Sequence, residues 1–322
     1  MKFCAKCGKR VESTTCQYCG YHLDKTFISL KIRQSKKNFV FFGSAIFVVI
    51  IISLTLNWAI NDGYGPLYDR GDFVLFYEHT DFSIDLDLRI TTENNQKIDN
   101  LVRGTKFFEN IVASYNDKFK LPYDVPVYVG ECGIENGYPV ANAYYQFVDN
   151  YIQVCYELID FHISLYRDIY PTISDEELID LVEGGVYWIF VHELGHAFVD
   201  IYELPLLGLS EDTADIAANI ILISEGEKGI NAIAAASDFF SYAAVQEGER
   251  ALENVFYDDH GLNVQRYLNM LCFVYGSDPN GYAWLVVEGY LTPERAQPCE
   301  TTFKENYAGW AEELKPYAKF DL

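Results

Sequence analysis

Hydrophobic and polar positions divide this chain of 322 residues into three regimes. Residues 39–60, FVFFGSAIFVVIIISLTLNWAI, carry no charge. These 22 residues, rising about 1.5 Å each, span roughly 33 Å, enough for a hydrocarbon core of about 30 Å. The pattern predicts one transmembrane helix, with Trp58 near an interface. Residues 1–38 are polar, and after residue 60 the apolar positions become periodic. Phe82, Ile84, Leu86, Leu88 and Ile90 alternate, which predicts a strand over Phe82–Ile90. Asn94–Phe119 has helical spacing, and Val125–Val129 reads as a short apolar strand. Tyr138–Tyr156 alternates loosely, as an edge strand or hairpin does.

Further on, Ser174-Asp175-Glu176-Glu177 is a capping box that starts a long helix. Gly184-Gly185 either breaks that helix or admits a close neighbour, and Leu204-Pro205 ends it. After the loop Pro205–Leu209, Ser210-Glu211-Asp212-Thr213-Ala214-Asp215 opens a second helix.

The long helix is apolar on most sides over Val186–Asp200, VYWIFVHELGHAFVD. Before the terminal Asp200 its ionisable exceptions to an apolar run are His192, Glu193 and His196, in an HExxH spacing. Positions i and i+4 share a helix face, so the two imidazoles can grip one metal ion from one side. Glu193, one step round the helix, reaches a water on that ion. Unpaired polar groups are costly in an apolar helix. The chain has only six histidines, which makes accidental spacing a poor explanation.

Two histidines do not hold a catalytic zinc alone; a third protein ligand is normal. Glu211 and Asp215 lie four apart, on one face of the next helix. Glu211 suits the ligand role, with Asp212 as its rival. Asp215 suits the carboxylate that accepts a hydrogen bond from a ligand imidazole and fixes its tautomer. Helix-dipole preference explains acids in the first turn, but not Asp215 deeper in the helix.

Donors for a developing oxyanion are His260, within Asp258-Asp259-His260-Gly261, and the tyrosines Tyr187 and Tyr202. The stretch around His260 is equally good turn chemistry. Arg266 either holds an acidic partner or is structural. His79 and His162 have no metal-like neighbours and read as incidental.

Charge changes the picture of the whole chain. Net charge is −23, unevenly spread. Met1–Asn38 holds nine Lys/Arg against two acids, net +7, and the remaining 15 basic and 45 acidic residues give −30. A domain this acidic is a poor partner for nucleic acid. The basic flank before the span places the N-terminus in the cytoplasm and residues after 60 outside it.

Cysteine usage splits at the same place. Cys4/Cys7 and Cys16/Cys19 are two Cys-x-x-Cys pairs, each followed by glycine, and together make a tetrahedral zinc site. Met1–Leu23 resembles the small zinc ribbons at the N-termini of many bacterial membrane proteins, which implies a structural module or a docking point for a cytoplasmic protein. Cys132, Cys155, Cys272 and Cys299 lack metal spacing. On the outer side of a membrane disulfides persist. Of the three pairings four cysteines allow, the local one, Cys132–Cys155 with Cys272–Cys299, closes two loops of moderate length. Buried thiols are the alternative.

HELGH followed by LPLLGLSEDTADIAAN resembles a bacterial family of uncharacterised zinc metallopeptidases. The similarity runs from about Asp72 to the C-terminus and includes CGIENGY near Cys132, CYEL at Cys155, QRYLNMLCFVYGSDP, Cys299 and Trp310. More broadly, HExxH followed by ExxAD is similar to the gluzincin class of zinc peptidases. The resemblance implies His192, His196 and Glu211 as zinc ligands, Glu193 as general base and Asp215 as the orienting carboxylate. It also implies a zincin-like α+β domain, mostly helical with a small sheet. The ribbon and the span lie outside it.

The expected organisation is a zinc ribbon (1–23), a basic cytoplasmic linker (24–38), a transmembrane helix (39–60), a juxtamembrane linker (61–73) and a metallopeptidase domain (74–322). The expected activity is zinc-dependent hydrolysis of a peptide or protein substrate at the outer face of a cell membrane. A non-catalytic envelope sensor that keeps its zinc site is the alternative.

Overall fold

A computed structural model describes residues 2–3, 10–11, 69–77, 93–135, 137–205, 208–249 and 261–320. The chain forms two compact units, Met1–Leu54 and Thr55–Leu322. In the first, β1 (Lys2–Phe3) pairs antiparallel with β2 (Arg10–Val11), with Lys2 opposite Val11. The ribbon cysteines Cys4, Cys7, Cys16 and Cys19, the basic linker and the apolar run 39–60 lie outside the described residues, as do the expected strand Phe82–Ile90, His79 and His260. Among the described residues, no helix is long and apolar enough to cross a membrane.

The second unit is mostly helical with a small mixed sheet. β3 (Phe73–Tyr77), β4 (Val125–Gly130), β7 (Ala143–Gln146) and β8 (Tyr151–Cys155) form one sheet in the order β3-β4-β8-β7. β3, β4 and β8 run parallel, whereas β7 returns antiparallel on β8, and among the described residues no further strand pairs with the other edge of β7. β4 and β8 are the inner strands, and in β4 Val125, Val127 and Val129, at alternate positions, are fully buried. A separate pair, β5 (Ile134–Glu135) with β6 (Tyr138–Pro139), stands exposed between β4 and β7.

Two expected elements are subdivided. The stretch Asn94–Phe119 is two helices, α1 (Glu93–Thr105) and α2 (Phe107–Lys118), because Lys106 adopts a left-handed φ of 55° and redirects the chain. Tyr138–Tyr156 is three short strands, β6, β7 and β8, and then the first residue of α3 (Tyr156–Ile169). The 61–73 linker ends in β3, since Phe73 pairs opposite Val125 and is buried.

The core is organised around α4 (Asp175–Ile201), 27 residues long. Its start is the expected capping box: Ser174 Oγ accepts from Glu177 N at 3.3 Å, and Glu177 Oε2 accepts from Ser174 N at 3.1 Å. Gly184 and Gly185 do not break it. They admit neighbours instead: a Cβ on Gly184 would stand 3.0 Å from Ala235 Cβ, and one on Gly185 2.4 Å from Tyr166 Oη. α5 (Ser210–Ser224), α6 (Glu227–Glu249) and α3 pack around α4, and α7 (Asn263–Ser277) lies against α5 and α6. The short helices α8 (Trp284–Val287) and α9 (Pro293–Ala296) lead to α10 (Cys299–Leu314), which returns along α7.

Two disulfides fasten this frame, in the local pairing. Cys132–Cys155 (S–S 2.02 Å) joins the segment after β4 to the end of β8. Cys272–Cys299 (S–S 2.07 Å) joins α7 to α10.

Candidate metal centre

The centre sits where α4 meets α5, and a glycine sets their separation. A Cβ on Gly195 would stand 3.0 Å from Ala217 Cβ and 3.1 Å from Ala214 Cα. With hydrogen there, the two helices close to near contact. Glu211 and Asp215, in the first two turns of α5, then face the histidines of α4.

His192, His196 and Glu211 each offer a ligand atom, all within 4.8 Å of one another. His192 Nε2 is 3.1 Å from Glu211 Oε2, and His196 Nε2 is 3.4 Å from Glu211 Oε1. Two atoms each about 2.0–2.1 Å from a tetrahedral zinc stand about 3.3 Å apart, so this spacing fits one ion among the three groups. The other imidazole nitrogens are engaged elsewhere. His192 Nδ1 donates to Asp215 Oδ1 at 2.8 Å, and His196 Nδ1 meets Ser210 Oγ at 3.2 Å. With Nδ1 donating to Asp215, a neutral His192 presents its Nε2 lone pair toward the Glu211 carboxylate. That arrangement calls for a cation between them, a proton or a metal.

Electrostatics point the same way. Burial alone would lower the His192 imidazole, but the Asp215 and Glu211 carboxylates overcome it and lift its pKa to about 9. Burial likewise works against a charged Asp215, yet His192 and Arg266 hold it below the usual carboxylate range. Arg266 grips Asp215 with two bonds, Nε to Oδ2 at 2.8 Å and Nη2 to Oδ1 at 2.6 Å. Its guanidinium lies 4.2 Å from the Phe240 ring centre and 5.6 Å from that of Trp188. The acidic partner that the sequence left open for Arg266 is therefore Asp215.

Glu193 faces the sheet. Its Oε2 accepts from the backbone N–H of Tyr145 on β7 at 2.8 Å. Burial raises its carboxyl above the ordinary value, against the pull of both histidines and of that N–H. The Tyr145 hydroxyl reaches back to the same helix, donating to Asp200 Oδ2 at 2.8 Å. Strand β7 is thus tied to α4 at two points, two turns apart. No side-chain motif announces the Tyr145 contact, because its donor is main chain. Ser210 was legible only as the residue before Glu211.

Other candidates lie elsewhere. Asp212 lines a groove with Val199, Leu209 and Trp310 rather than joining the three ligand groups. The tyrosines considered as oxyanion donors are committed away from the centre: Tyr187 Oη donates to Glu225 Oε2 at 2.6 Å, and Tyr202 Oη to the Lys120 carbonyl at 2.9 Å. His162 is fully buried, with Nδ1 at 2.9 Å from the Leu158 carbonyl and Nε2 without a partner among the described residues.

No curated protein and no solved structure is similar enough to the chain to count as a match. A family model does match, over residues 88–314, which include the whole of this centre. The chain belongs to that family, DUF4344, whose description is "Putative metallopeptidase".

Proposed function

We propose that this protein is a membrane-anchored zinc metallopeptidase, with a zincin-like domain outside the membrane and a zinc ribbon on the cytoplasmic side. The observation that carries the reading is the convergence of His192 Nε2, His196 Nε2 and a Glu211 carboxylate at spacings a single tetrahedral ion would span. Zinc held there supplies a Lewis acid that polarises a carbonyl and lowers the pKa of water. The protein's own groups do the rest. Glu193, held by Tyr145 N–H and raised by burial, is the proton acceptor and later the donor to the leaving amine. Arg266, through Asp215, keeps His192 in one tautomer with Nε2 forward.

A peptide is the substrate class that suits the outer edge of β7. In an antiparallel pair alternate residues turn their backbone groups outward, and Tyr145 N–H, bound to Glu193 rather than to β8, marks that outward set. An extended peptide adding to this edge would bring a backbone carbonyl past Glu193.

The test is profiling of the purified full chain against a peptide library, with Glu193→Gln as the blank. Zinc-dependent cleavage absent from the blank supports the reading. A zinc-loaded, folded protein that cleaves no peptide would turn it toward a sensing role. Protease added to intact cells should shave residues beyond 60 and spare the ribbon; the reverse would invert the topology.

A further inference from the structure

The turn between β7 and β8 presents two bare apolar side chains, Phe147 (53 % exposed) and Val148 (84 %). Exposed apolar residues scattered singly mean little. Phe147 stands at the metal centre, with Val148 next to it in the turn: the Phe147 ring meets the His196 ring edge-on, with centroids 6.0 Å apart and planes at 72°. On its other side Phe147 packs against Tyr145 at 5.1 Å.

The turn is held rather than loose. Asn150 adopts a left-handed φ of 52°. Its side-chain nitrogen faces Asp200 Oδ2 at 3.0 Å and the Phe147 carbonyl at 3.1 Å, while its oxygen accepts from Tyr123 Oη at 3.1 Å. A polar network beneath the turn thus fixes the position of apolar groups above it. Apolar surface kept in water beside a polar centre marks a place where something apolar is received.

We propose that Phe147 and Val148 form the side-chain subsite that selects substrates with a bulky apolar residue next to the scissile bond. The inference rests on the peptidase reading and names its substrate class. Phe147 is the residue immediately after β7, so a peptide lying on that edge brings a side chain against its ring as it passes His196. Asp149, in the same turn, and Asp200 beneath it disfavour an acidic side chain there. The expected order is Phe or Leu, then Ala, then Asp or Glu.

Binding is measured without turnover, in the zinc-loaded full chain carrying Glu193→Gln, by fluorescence anisotropy of labelled peptides that differ only in Phe, Ser or Asp beside the cleaved bond. The Phe peptide should bind at least tenfold more tightly than the Ser peptide, and the Asp peptide most weakly. Adding Phe147→Ser should reduce the Phe-to-Ser ratio to below threefold, and Val148→Ser, at a more exposed position, should reduce it in part. Equal binding of all three peptides overturns the proposal. So does a preference that survives both substitutions together in protein whose circular dichroism is unchanged. Selective binding that depends on Phe147, in a wild-type protein that hydrolyses nothing, would keep the subsite and sink the peptidase reading instead.

Discussion

His192 and Asp215 face each other across the α4–α5 contact, Nδ1 to Oδ1 at 2.8 Å, and Arg266 donates to both oxygens of the same carboxylate. The three residues come from three helices, so the direction of one ligand imidazole depends on the packing of all three. Hydrogen-bond partners of metal-binding histidines typically change metal affinity by about 10–100-fold when lost. Asp215→Asn should weaken zinc binding at the centre by that order. Arg266→Met should do so less, because Asp215 remains. Competition with a chromophoric chelator measures both, and unchanged affinity in Asp215→Asn would remove the orienting role.

Gly195 is expected to matter for metal as well as for stability. A Cβ there would press on Ala217 and Ala214 of α5, the helix that carries Glu211 and Asp215. Gly195→Ala should cost roughly 1–3 kcal/mol, as overpacking does, and weaken zinc binding. Gly184→Ala meets Ala235 at the same 3.0 Å but on α6, away from the ligands. It should lose stability and keep zinc affinity. Urea unfolding and zinc titration of the two variants separate the effects; equal zinc affinities would show that the α4–α5 spacing does not tune the site.

Much of this centre was legible in the sequence, and the limits follow from what a sequence encodes. The four-residue spacing of His192 and His196 fixes a shared face on any helix, so it reads directly. Asp215 stood out because helix-end preference does not explain an acid that deep. By contrast, Tyr145 supports Glu193 through a main-chain N–H, which any residue type supplies. The break between α1 and α2 falls on Lys106, and nothing about lysine signals a positive φ. Tyr187 and Tyr202 carry the right chemistry for oxyanion donors, but packing turns their hydroxyls to Glu225 and Lys120.

The disulfides should be separable contributions to stability. They close loops over separations of 23 and 27 residues, each worth about 3 kcal/mol by restricting the unfolded chain. Cys272→Ser with Cys299→Ser should lower the unfolding free energy by that order and free α10 from α7. Non-reducing peptide mapping should recover the two local pairs. Free thiols at all four positions would argue against both the bonds and an oxidising compartment.

His162 predicts an acid limb in stability. Burial holds its imidazole down to about 4, against an ordinary value of 6.5. Between those values the unfolded chain binds one more proton than the folded one, so stability falls as pH drops from 6.5 toward 4. At about 1.4 kcal/mol per pH unit the full drop is on the order of 3 kcal/mol. His162→Leu should flatten this part of the profile, read as urea unfolding free energy at pH 7, 6, 5 and 4 in the presence of a chelator. An unchanged slope would mean that His162 is not the group that titrates.

The central claim is that His192, His196 and Glu211 hold one zinc and Glu193 does chemistry beside it without holding it. The most direct measurement is zinc content and peptide hydrolysis, side by side, for the purified wild type, Glu193→Gln, His196→Ala and Glu211→Ala. Glu193→Gln should keep its full zinc content and lose hydrolysis by at least a thousandfold, whereas His196→Ala and Glu211→Ala should each lose one equivalent of zinc and the activity with it. Full zinc in His196→Ala, or undiminished hydrolysis in Glu193→Gln, would contradict the account.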